Sequence, residues 1–356
     1  MKFTIDRDAF ASTLKTAGAA VGRSGEKVAL SCVLLAVADD KVTVRTTDSS
    51  MAITTTAPVT GSEVGQVLLP YSGLMRIVSK LDGGPMTVSN GDAEVSITSG
   101  KARMGLTAVA DVSMFPVHEA LDGESHDVDA ASFAAAVSQV ARAASTDITR
   151  QALAGVYLEG GDTMTMVATD GYRLAVRMLA TDLIGAGASA IVPAPAMAAV
   201  ARVCGTDGNI AVRIGERSVS FTTERATLWS QLIGAAYPAY RSILPAEAAS
   251  RFEVSAERLA SAVDRATLAN SSSIVLAFED GKVTVTSSGT GSSSEEVAGS
   301  LTGEPVTVKG NPHYLLDGLN AVTGDDVTLS LTDPLKPIKV TGPSDDFVYV
   351  YMPLRG

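Results

Sequence analysis

Two aspartates at matching positions of an internal repeat are candidate catalytic residues. Asp48 and Asp170 each follow a strand-like segment, and a pair of carboxylates can act as general acid and base. The third copy of the repeat has Gly289 at this position, and no base or metal ligand stands nearby in the sequence. We therefore expect Asp48 and Asp170 to stabilise turns at strand ends rather than to catalyse a reaction.

The histidines and cysteines show no spacing that is typical of a catalytic or metal site. The three histidines, His118, His126 and His313, form neither a triad pattern nor a zinc-ligand pattern, so we expect no metal. The two cysteines, Cys32 and Cys204, lie far apart within apolar segments. This usage is typical of buried thiols in a cytosolic protein.

The glycine-rich run GAGAS at 185–189 is a weak match to a phosphate-binding loop. No lysine follows it, so we interpret it as a loop between strands. The sequence also has no GxSxG nucleophile elbow. We therefore expect no enzymatic activity and no cofactor, and the alternative is a hydrolase or transferase whose site the sequence does not reveal.

Length and composition narrow the class of protein. The 356 residues predict two or three domains, and 46% hydrophobic with 19% charged residues excludes global disorder. A net charge of −11 argues against a protein that coats nucleic acid with its whole surface. Asp6 interrupts the start before an apolar segment forms, and no apolar run is long enough to cross a membrane. We expect a cytoplasmic protein without a secretory signal.

A threefold repeat supplies the elements that must position these residues. Segments beginning at Cys32, Gly155 and Ser273 share the order strand, tight turn, strand and polar corner, which indicates β-hairpins. A helical segment precedes each hairpin and another follows it. The periodicity predicts helices over 7–21, 71–81, 130–143, 194–204, 256–269 and 312–322.

The first helix of each repeat begins at a capping residue. These predicted N-caps are Asp6, Asp129 and Ser255. In the first helix, Phe10, Leu14, Ala17 and Val21 are spaced to share one buried face.

Three repeat units account for nearly the whole chain. We predict domains over 1–121, 122–246 and 247–356, with boundaries near Leu121 and Ala246. Strand-rich antiparallel patterning with two helices per unit indicates an α+β fold rather than a doubly wound parallel sheet. The predicted helices carry more basic than acidic residues, although the chain as a whole is acidic. A helix-lined surface would therefore attract phosphate, unless this small excess is without significance.

Four motifs carry a resemblance to a known family. They are VATDGYRLAV at 167–176, AYPAYRSILP at 236–245, GNPHYLLDGL at 310–319 and the terminal YMPLRG. With the three tandem units, they make the chain resemble the bacterial DNA polymerase III β subunit, the sliding clamp, over its full length. The resemblance implies three clamp domains per chain and a head-to-tail homodimer that forms a ring, with helices inside, antiparallel sheets outside and duplex DNA threaded through.

The resemblance also implies a peptide-binding pocket between the second and third domains. Its residues in this chain would be Leu153, Thr169, Gly171, Tyr172, Arg173, Leu174, Pro238, Ile243, Leu335, Pro337, Val350, Met352, Pro353, Leu354 and Arg355. Most are apolar or small, and a methionine gives adaptable surface for different peptides. By residue type alone, Leu174, Ile243 and Val350 fit ordinary core packing equally well.

The resemblance and the net positive charge of the predicted helices indicate two further surfaces, one for DNA and one for the dimer interface. We expect transient phosphate contacts from Arg23, Arg76, Lys80, Arg142, Arg150 and Arg202. The residues that match the family's dimer interface are Met104, Leu106 and Leu268, and the alternative for Met104 and Leu106 is packing within their own chain.

The partners that the resemblance implies are DNA and proteins of replication. They are duplex DNA without sequence preference, the DNA polymerase III catalytic subunit, the clamp loader, other proteins with clamp-binding motifs and a second copy of the chain, with no membrane. A duplicated clamp that replaces a drug-blocked housekeeping copy is a variant of the same role.

Overall fold

The structure of the protein is a computed structural model. It describes residues 1–22, 28–91, 94–109, 111–118, 120–181, 185, 187–245, 247–344 and 346–355. The chain forms two compact units, one of Met1–Ala134 with Ala198–Leu232 and one of Ala135–Met197 with Ile233–Gly356. We call them unit 1 and unit 2. The boundaries predicted near Leu121 and Ala246 stay predictions, and Ala246 lies outside the described residues.

The described residues form six α-helices and 25 strands. The helices are α1 Arg7–Ala17, α2 Tyr71–Lys80, α3 Ala130–Val140, α4 Ala194–Val203, α5 Ala256–Thr267 and α6 Pro312–Leu319. The strands are β1 Lys2–Asp6, β2 Cys32–Ala38, β3 Lys41–Thr47, β4 Met51–Pro58, β5 Thr60–Glu63, β6 Gly65–Pro70, β7 Pro85–Asn90, β8 Val95–Ser99, β9 Ala102–Leu106, β10 His126–Asp129, β11 Gly155–Glu159, β12 Met164–Thr169, β13 Arg173–Leu179, β14 Ser189–Pro193, β15 Asn209–Ile214, β16 Ser218–Thr222, β17 Ala226–Gln231, β18 Ser250–Ser255, β19 Ile274–Glu279, β20 Lys282–Ser288, β21 Ser292–Thr302, β22 Val306–Gly310, β23 Asp326–Leu331, β24 Ile338–Thr341 and β25 Phe347–Tyr351.

Unit 1 contains two antiparallel sheets. The smaller sheet has the order β5-β1-β7-β8-β9, and the larger has the order β10-β15-β16-β17-β4-β3-β2-β6. Helix α1 packs on β3 and β4 and also contacts α2. Its buried face includes Phe10, whose ring meets Phe3 edge to face at 5.7 Å. The core of this unit therefore lies between helices and sheet.

Unit 2 contains one antiparallel sheet of twelve strands. Its order is β14-β11-β12-β13-β25-β24-β23-β18-β21-β20-β19-β22. Helix α5 packs on β20 and β21 and against α6, and Tyr349 and Tyr351 of β25 are fully buried. The predicted combination of helices with antiparallel sheets is confirmed.

The predicted N-caps are confirmed in all three repeats. A side-chain oxygen of Asp6 accepts from the backbone N–H groups of Asp8 and Ala9, at 2.9 and 3.0 Å. Asp129 accepts from Ser132 N at 2.8 Å, and Ser255 accepts from Arg258 N at 3.4 Å. Each interaction satisfies an N–H that has no partner within the helix.

The predicted length of the first helix is wrong by one turn. Helix α1 ends at Ala17, and a 3-10 turn over Gly18–Ala20 leads to Val21 in an extended conformation. Val21 therefore does not share the buried helical face of Phe10, Leu14 and Ala17. A Cβ at Gly18 would overlap the ring of Tyr71, so the two segments approach closely at this point.

The polar corners that follow the first two hairpins have the same hydrogen bonds. Asp48 accepts from Ser50 N and Met51 N at 2.9 and 2.7 Å, and Asp170 accepts from Tyr172 N and Arg173 N at 2.9 and 3.0 Å. The prediction that both aspartates stabilise turns is confirmed. In physical terms, their carboxylates replace backbone partners where the chain leaves a strand.

One strand pairing occurs twice. The last strand of the predicted second domain, β17, pairs with β4 of the first, with Trp229 opposite Ala52. The last strand of the third, β25, pairs with β13 of the second, with Val350 opposite Leu174. Each sheet therefore continues from one repeat into the next through the same antiparallel ladder.

Both cysteines are buried free thiols, as predicted. Within the described ranges, no helix is long and apolar enough to cross a membrane. The same part of the chain contains no cluster of three or more His, Cys, Asp or Glu side chains that could hold a metal ion.

Candidate functional site

The corner between β12 and β13 carries five of the predicted pocket residues, Thr169 and Gly171–Leu174. The Thr169 hydroxyl donates to the carbonyl of Arg173 at 2.5 Å and accepts from Gly171 N at 3.0 Å. Gly171 has φ +89, and a Cβ there would lie 2.8 Å from a guanidinium nitrogen of Arg150. Only glycine adopts this conformation without strain, so the local sequence determines the shape of the corner.

A cluster of ion pairs around Arg173 stabilises this corner. Arg173 Nε donates to Asp170 Oδ2 at 2.9 Å, and the same guanidinium contacts Asp317 of α6. Arg142 approaches Asp317 at 3.7 Å, and the Arg173 guanidinium lies 4.7 Å from the ring centroid of Tyr314. The Arg173 side chain is only 12% exposed, so it holds the corner in place rather than projecting into solvent.

Aromatic rings form one wall of the candidate site. The rings of Tyr157 and Tyr237 stack with centroids 4.6 Å apart, and Tyr240 packs with Val167, Leu174, Val176 and Val350. Tyr237 and Tyr240 belong to the segment 237–243, which also carries the predicted residues Pro238 and Ile243. The stack therefore fixes the position of 237–243 over the sheet.

Glu159 fastens the same segment to β11. Its carboxylate accepts from Tyr240 Oη at 2.7 Å and from both terminal nitrogens of Arg241, at 2.9 and 2.6 Å. Hydrogen bonds from Arg241 lower the pKa of the Glu159 carboxyl, although partial burial opposes them. The carboxylate is therefore stabilised in its ionised form.

The chain's last residues continue along the sheet and then turn away. Met352 N donates to Tyr172 O at 2.8 Å, and Leu354 N donates to Lys309 O at 2.8 Å. Pro353 between them has no N–H to donate and is buried. Ile338 pairs with Tyr351, so the neighbouring Pro337 lies beside the start of this tail.

Burial divides the predicted pocket residues into a floor and a rim. The floor residues are buried and comprise Leu153, Thr169, Leu174, Val350 and Pro353. The large exposed apolar side chains are Tyr172 at 60%, Leu335 at 55% and Ile243 at 39%, and Pro238 is exposed as well. Floor residues belong to the sheet core, as the core-packing alternative for Leu174 and Val350 expected, whereas Ile243 lies at the surface. Their assignment to a peptide pocket stays a prediction.

Comparisons with known proteins identify the family. The family models for the DNA polymerase III β subunit match at 1–118 for the N-terminal domain, 127–239 for the central domain and 241–355 for the C-terminal domain. The β sliding clamp of Caulobacter vibrioides is 32% identical over 100% of both chains. The chain belongs to the bacterial β sliding clamp family.

Solved structures agree with this assignment. A Caulobacter crescentus DNA polymerase III β structure is 30% identical, covers 100% of both chains and has a TM-score of 0.90. A Pseudomonas aeruginosa sliding clamp, solved bound to griselimycin, is 25% identical over 100% of both chains with a TM-score of 0.92. The expected fold of three tandem clamp domains is confirmed, and so is the expected role of a non-catalytic DNA polymerase processivity factor.

The clamp residues predicted to contact DNA lie on several elements. Arg76 and Lys80 are exposed on α2, and Arg202 lies at the end of α4, beside a cleft of about 1130 Å³ that Thr13 and Thr16 of α1 also line. Arg142 shares Asp317 with Arg173, and Arg150 donates to the carbonyl of Asp170 at 2.6 Å. These two arginines therefore stand next to the pocket corner. Arg23 lies outside the described residues.

The predicted interface residues differ in their surroundings. β9 is an edge strand, as expected, with Met104 45% exposed. Leu106 is half-buried, and a Cβ on Gly73 of α2 would lie 3.1 Å from it, so Leu106 packs against its own chain. Leu268 follows α5 and is 82% exposed.

Sequence reasoning missed the side chains that hold the site together. Glu159, Tyr240 and Asp317 make its hydrogen bonds and ion pairs, yet none was predicted to be a site residue. The AYPAYRSILP motif contains Tyr240, and a buried hydroxyl beside apolar residues needs a partner. That partner, Glu159, is 81 residues away, so no local spacing reveals it.

We predict that Glu159→Gln lowers the free energy of unfolding at pH 7 by about 1 kcal/mol, since charge-assisted hydrogen bonds are lost at a partly exposed site. The folded-state pKa of Glu159 is depressed, so its stabilisation is present above the ordinary value of 4.5 and is lost as pH falls through the folded-state pKa. Urea unfolding at several pH values should therefore show the two proteins converging in acid. Glu253→Gln, an exposed carboxylate of β18, is the control, and a difference independent of pH would contradict the prediction.

Proposed function

We propose that two copies of this chain join head to tail in a ring around duplex DNA, and that short peptides of replication proteins bind the site of unit 2. The observation that carries this proposal is the repeated pairing of β17 with β4 and of β25 with β13. The same rule applied a third time needs β9 of the first domain to pair with the matching strand of a third domain. In a head-to-tail dimer, that strand belongs to the second copy.

The matching strand is the first part of β21. Ser287 donates to Ala266 O at 2.7 Å, as Thr46 contacts Ala17 O, so Ser292–Ala298 corresponds to β4. Among the described strands, Ser292–Ala298 pairs with β20 alone, and β9 pairs with β8 alone. Two edges with unpaired backbone groups are each other's natural partners, because pairing satisfies their N–H and C=O groups.

Charge also supports this pairing. Arg103 on β9 and Lys101 just before it are basic, whereas Glu295 and Glu296 on β21 are acidic, each with one ion pair in its own chain, to Arg265 and Lys282 respectively. The exposed Leu268 lies after α5, which packs on β21, and could cover Met104 of a partner. Leu106 contributes less to an interface, since it packs on its own α2.

A closed ring makes tight contact with DNA unnecessary. It cannot leave circular DNA without opening, and weak phosphate attraction permits sliding. Exposed arginines and lysines on helices, such as Arg76, Lys80 and Arg202, suit this role in a chain of net charge −11. We propose that this action takes place in the cytoplasm, in keeping with the family's role in bacterial replication.

The unit 2 site suits extended apolar peptides. Tyr172, Ile243 and Leu335 offer exposed apolar surface above a rigid floor, and Met352 adds an adaptable thioether. Arg355 and Arg150 supply positive charge at its edges. We propose that the polymerase catalytic subunit, the clamp loader and other proteins with clamp-binding motifs use this site in turn, since each would bury the same few anchors.

The ring predicts that topology, not affinity, holds the protein on DNA. Protein loaded by a clamp loader onto nicked circular duplex should stay bound through gel filtration and be lost after the circle is linearised. Arg76→Ala and Lys80→Ala should each reduce the slope of log DNA affinity against log salt concentration by about one unit. Arg251→Ala on β18 should leave this slope unchanged. Equal retention on circular and linear DNA would refute the ring.

The proposed dimer interface predicts that an aspartate at Leu268 dissociates the dimer, whereas an aspartate at Leu335 does not. Leu268→Asp buries a charge in the proposed interface, so the protein should sediment as a monomer at micromolar concentration. Leu335→Asp, also at an exposed leucine, should remain a dimer. A wild-type monomer, or a Leu268→Asp dimer, would contradict the proposed interface.

Damage to the peptide site should weaken peptide binding and leave the dimer intact. Deleting the last five residues should weaken binding of a peptide from the polymerase catalytic subunit by about 2 kcal/mol or more, by loss of central anchors. Leu335→Asp should weaken the same binding, and Leu268→Asp should not. Calorimetry on proteins with unchanged circular dichroism measures this, and unchanged affinity after the deletion would show that the peptide binds elsewhere.

A further inference from the structure

Unit 1 contains a structural counterpart of the unit 2 peptide site. At the β3–β4 corner the Thr47 hydroxyl donates to Met51 O at 2.8 Å and accepts from Ser49 N at 3.0 Å. Thr169 makes the same two bonds at the β12–β13 corner. The corner in unit 1 is followed by the pair Ala52–Trp229, where unit 2 has Leu174–Val350. The two sites are therefore built from the same parts.

The segment that covers each site also corresponds. Pro116 and His118 stand where unit 2 has Pro238 and Tyr240. His118 stacks on Trp229 with ring centroids 3.9 Å apart, and its Nε2 lies 3.1 Å from the Thr47 hydroxyl. Because Thr47 already donates to Met51 O, the imidazole N–H is the donor in this contact.

A cavity of about 410 Å³ lies under this segment in unit 1. Its volume falls in the range of small-molecule and peptide sites. The walls include Phe115, Val117 and Leu121, and the floor is a sheet face rich in hydroxyl groups. The described lining residues include two arginines, Arg45 and Arg213, and no carboxylate.

The two guanidiniums mark the ends of the floor. Arg45 is on β3 and Arg213 on β15, with β4, β17 and β16 between them. Four strand spacings of about 4.8 Å separate them by about 19 Å, which an extended peptide spans with about six residues. Neither arginine has an ion-pair partner within the part of the chain that the structure describes.

We propose that this groove binds a short extended peptide with a carboxylate near each end and an apolar side chain between them. The carboxylates pair with Arg45 and Arg213, and the apolar side chain packs on Trp229 beside His118. A nucleic acid strand fits less well, because it carries a phosphate at every nucleotide while the cations among the described lining residues stand only at the ends of the groove. The proposal is independent of the ring and of the unit 2 site.

The chain contains one tryptophan, Trp229, so its fluorescence reports on this groove. The probe is a pool of capped hexapeptides with Asp or Glu at both ends, Leu or Phe at the third position and Ser elsewhere. A matched pool has Lys at both ends. Titration of the full chain with the acidic pool should change the emission of Trp229 saturably, and the basic pool should not.

Charge-removing variants test the two ends. Arg45→Gln and Arg213→Gln should each weaken binding of the acidic pool about tenfold, because a charge-assisted hydrogen bond is lost. Arg217→Gln, at an exposed turn of unit 1, should leave the affinity unchanged, as should deletion of the last five residues. Circular dichroism verifies that each variant is folded.

Three results would overturn the proposal. They are an unchanged Trp229 emission with the acidic pool, an affinity that neither Arg45→Gln nor Arg213→Gln reduces, and saturable binding of oligothymidylate in place of the acidic peptides. Retention of the ring on circular DNA is measured on the same variants and on the wild-type protein. A wild-type protein that stays on circular DNA but does not bind the acidic peptides tells against the groove and not against the clamp function.

Discussion

The antiparallel ladder between neighbouring repeats is the interaction on which the rest of this molecule depends. β17 completes the sheet of the preceding repeat through β4, and β25 does the same through β13. Each ladder buries the apolar face of a strand and satisfies backbone groups that would otherwise form an open edge. Among the described strands, β9 and the Ser292–Ala298 part of β21 have no such partner, and each is hydrogen-bonded to another strand along one edge alone.

The same ladder underlies both proposed ligand sites. Wherever the last strand of one repeat meets the corner of the one before, a buried strand pair lies beneath an exposed connecting segment. In unit 2 the pair is Leu174–Val350 and the segment is fastened by Tyr240 to Glu159. In unit 1 the pair is Ala52–Trp229 and the segment is fastened by the stacked His118. The two sites therefore share a backbone frame and differ in the side chains that line it.

Differences in charge separate these two sites. The unit 2 corner neutralises Arg173 with Asp170 and Asp317, so this guanidinium adds no unpaired charge to the site. In unit 1, Met51 occupies the position of Arg173, and the two arginines of the groove are without carboxylates among its described lining residues. The same frame therefore carries an ion-paired arginine at its corner in unit 2 and two arginines without described ion-pair partners in unit 1.

Sequence alone was enough to predict the repeat, the helix caps at Asp6, Asp129 and Ser255, the turn role of Asp48 and Asp170 and, through four motifs, the family. These features are local, because capping and turn formation depend on residues within a few positions of each other. Tertiary structure alone decided that Leu174 and Val350 form the floor while Ile243 and Leu335 remain exposed, and that Leu106 packs on its own helix. It also paired Glu159 with Tyr240 and Arg173 with Asp317, and brought Arg45 and Arg213 to one groove. Such contacts join residues 81 or 144 positions apart, and burial depends on which strands become neighbours, which no local pattern of residues specifies.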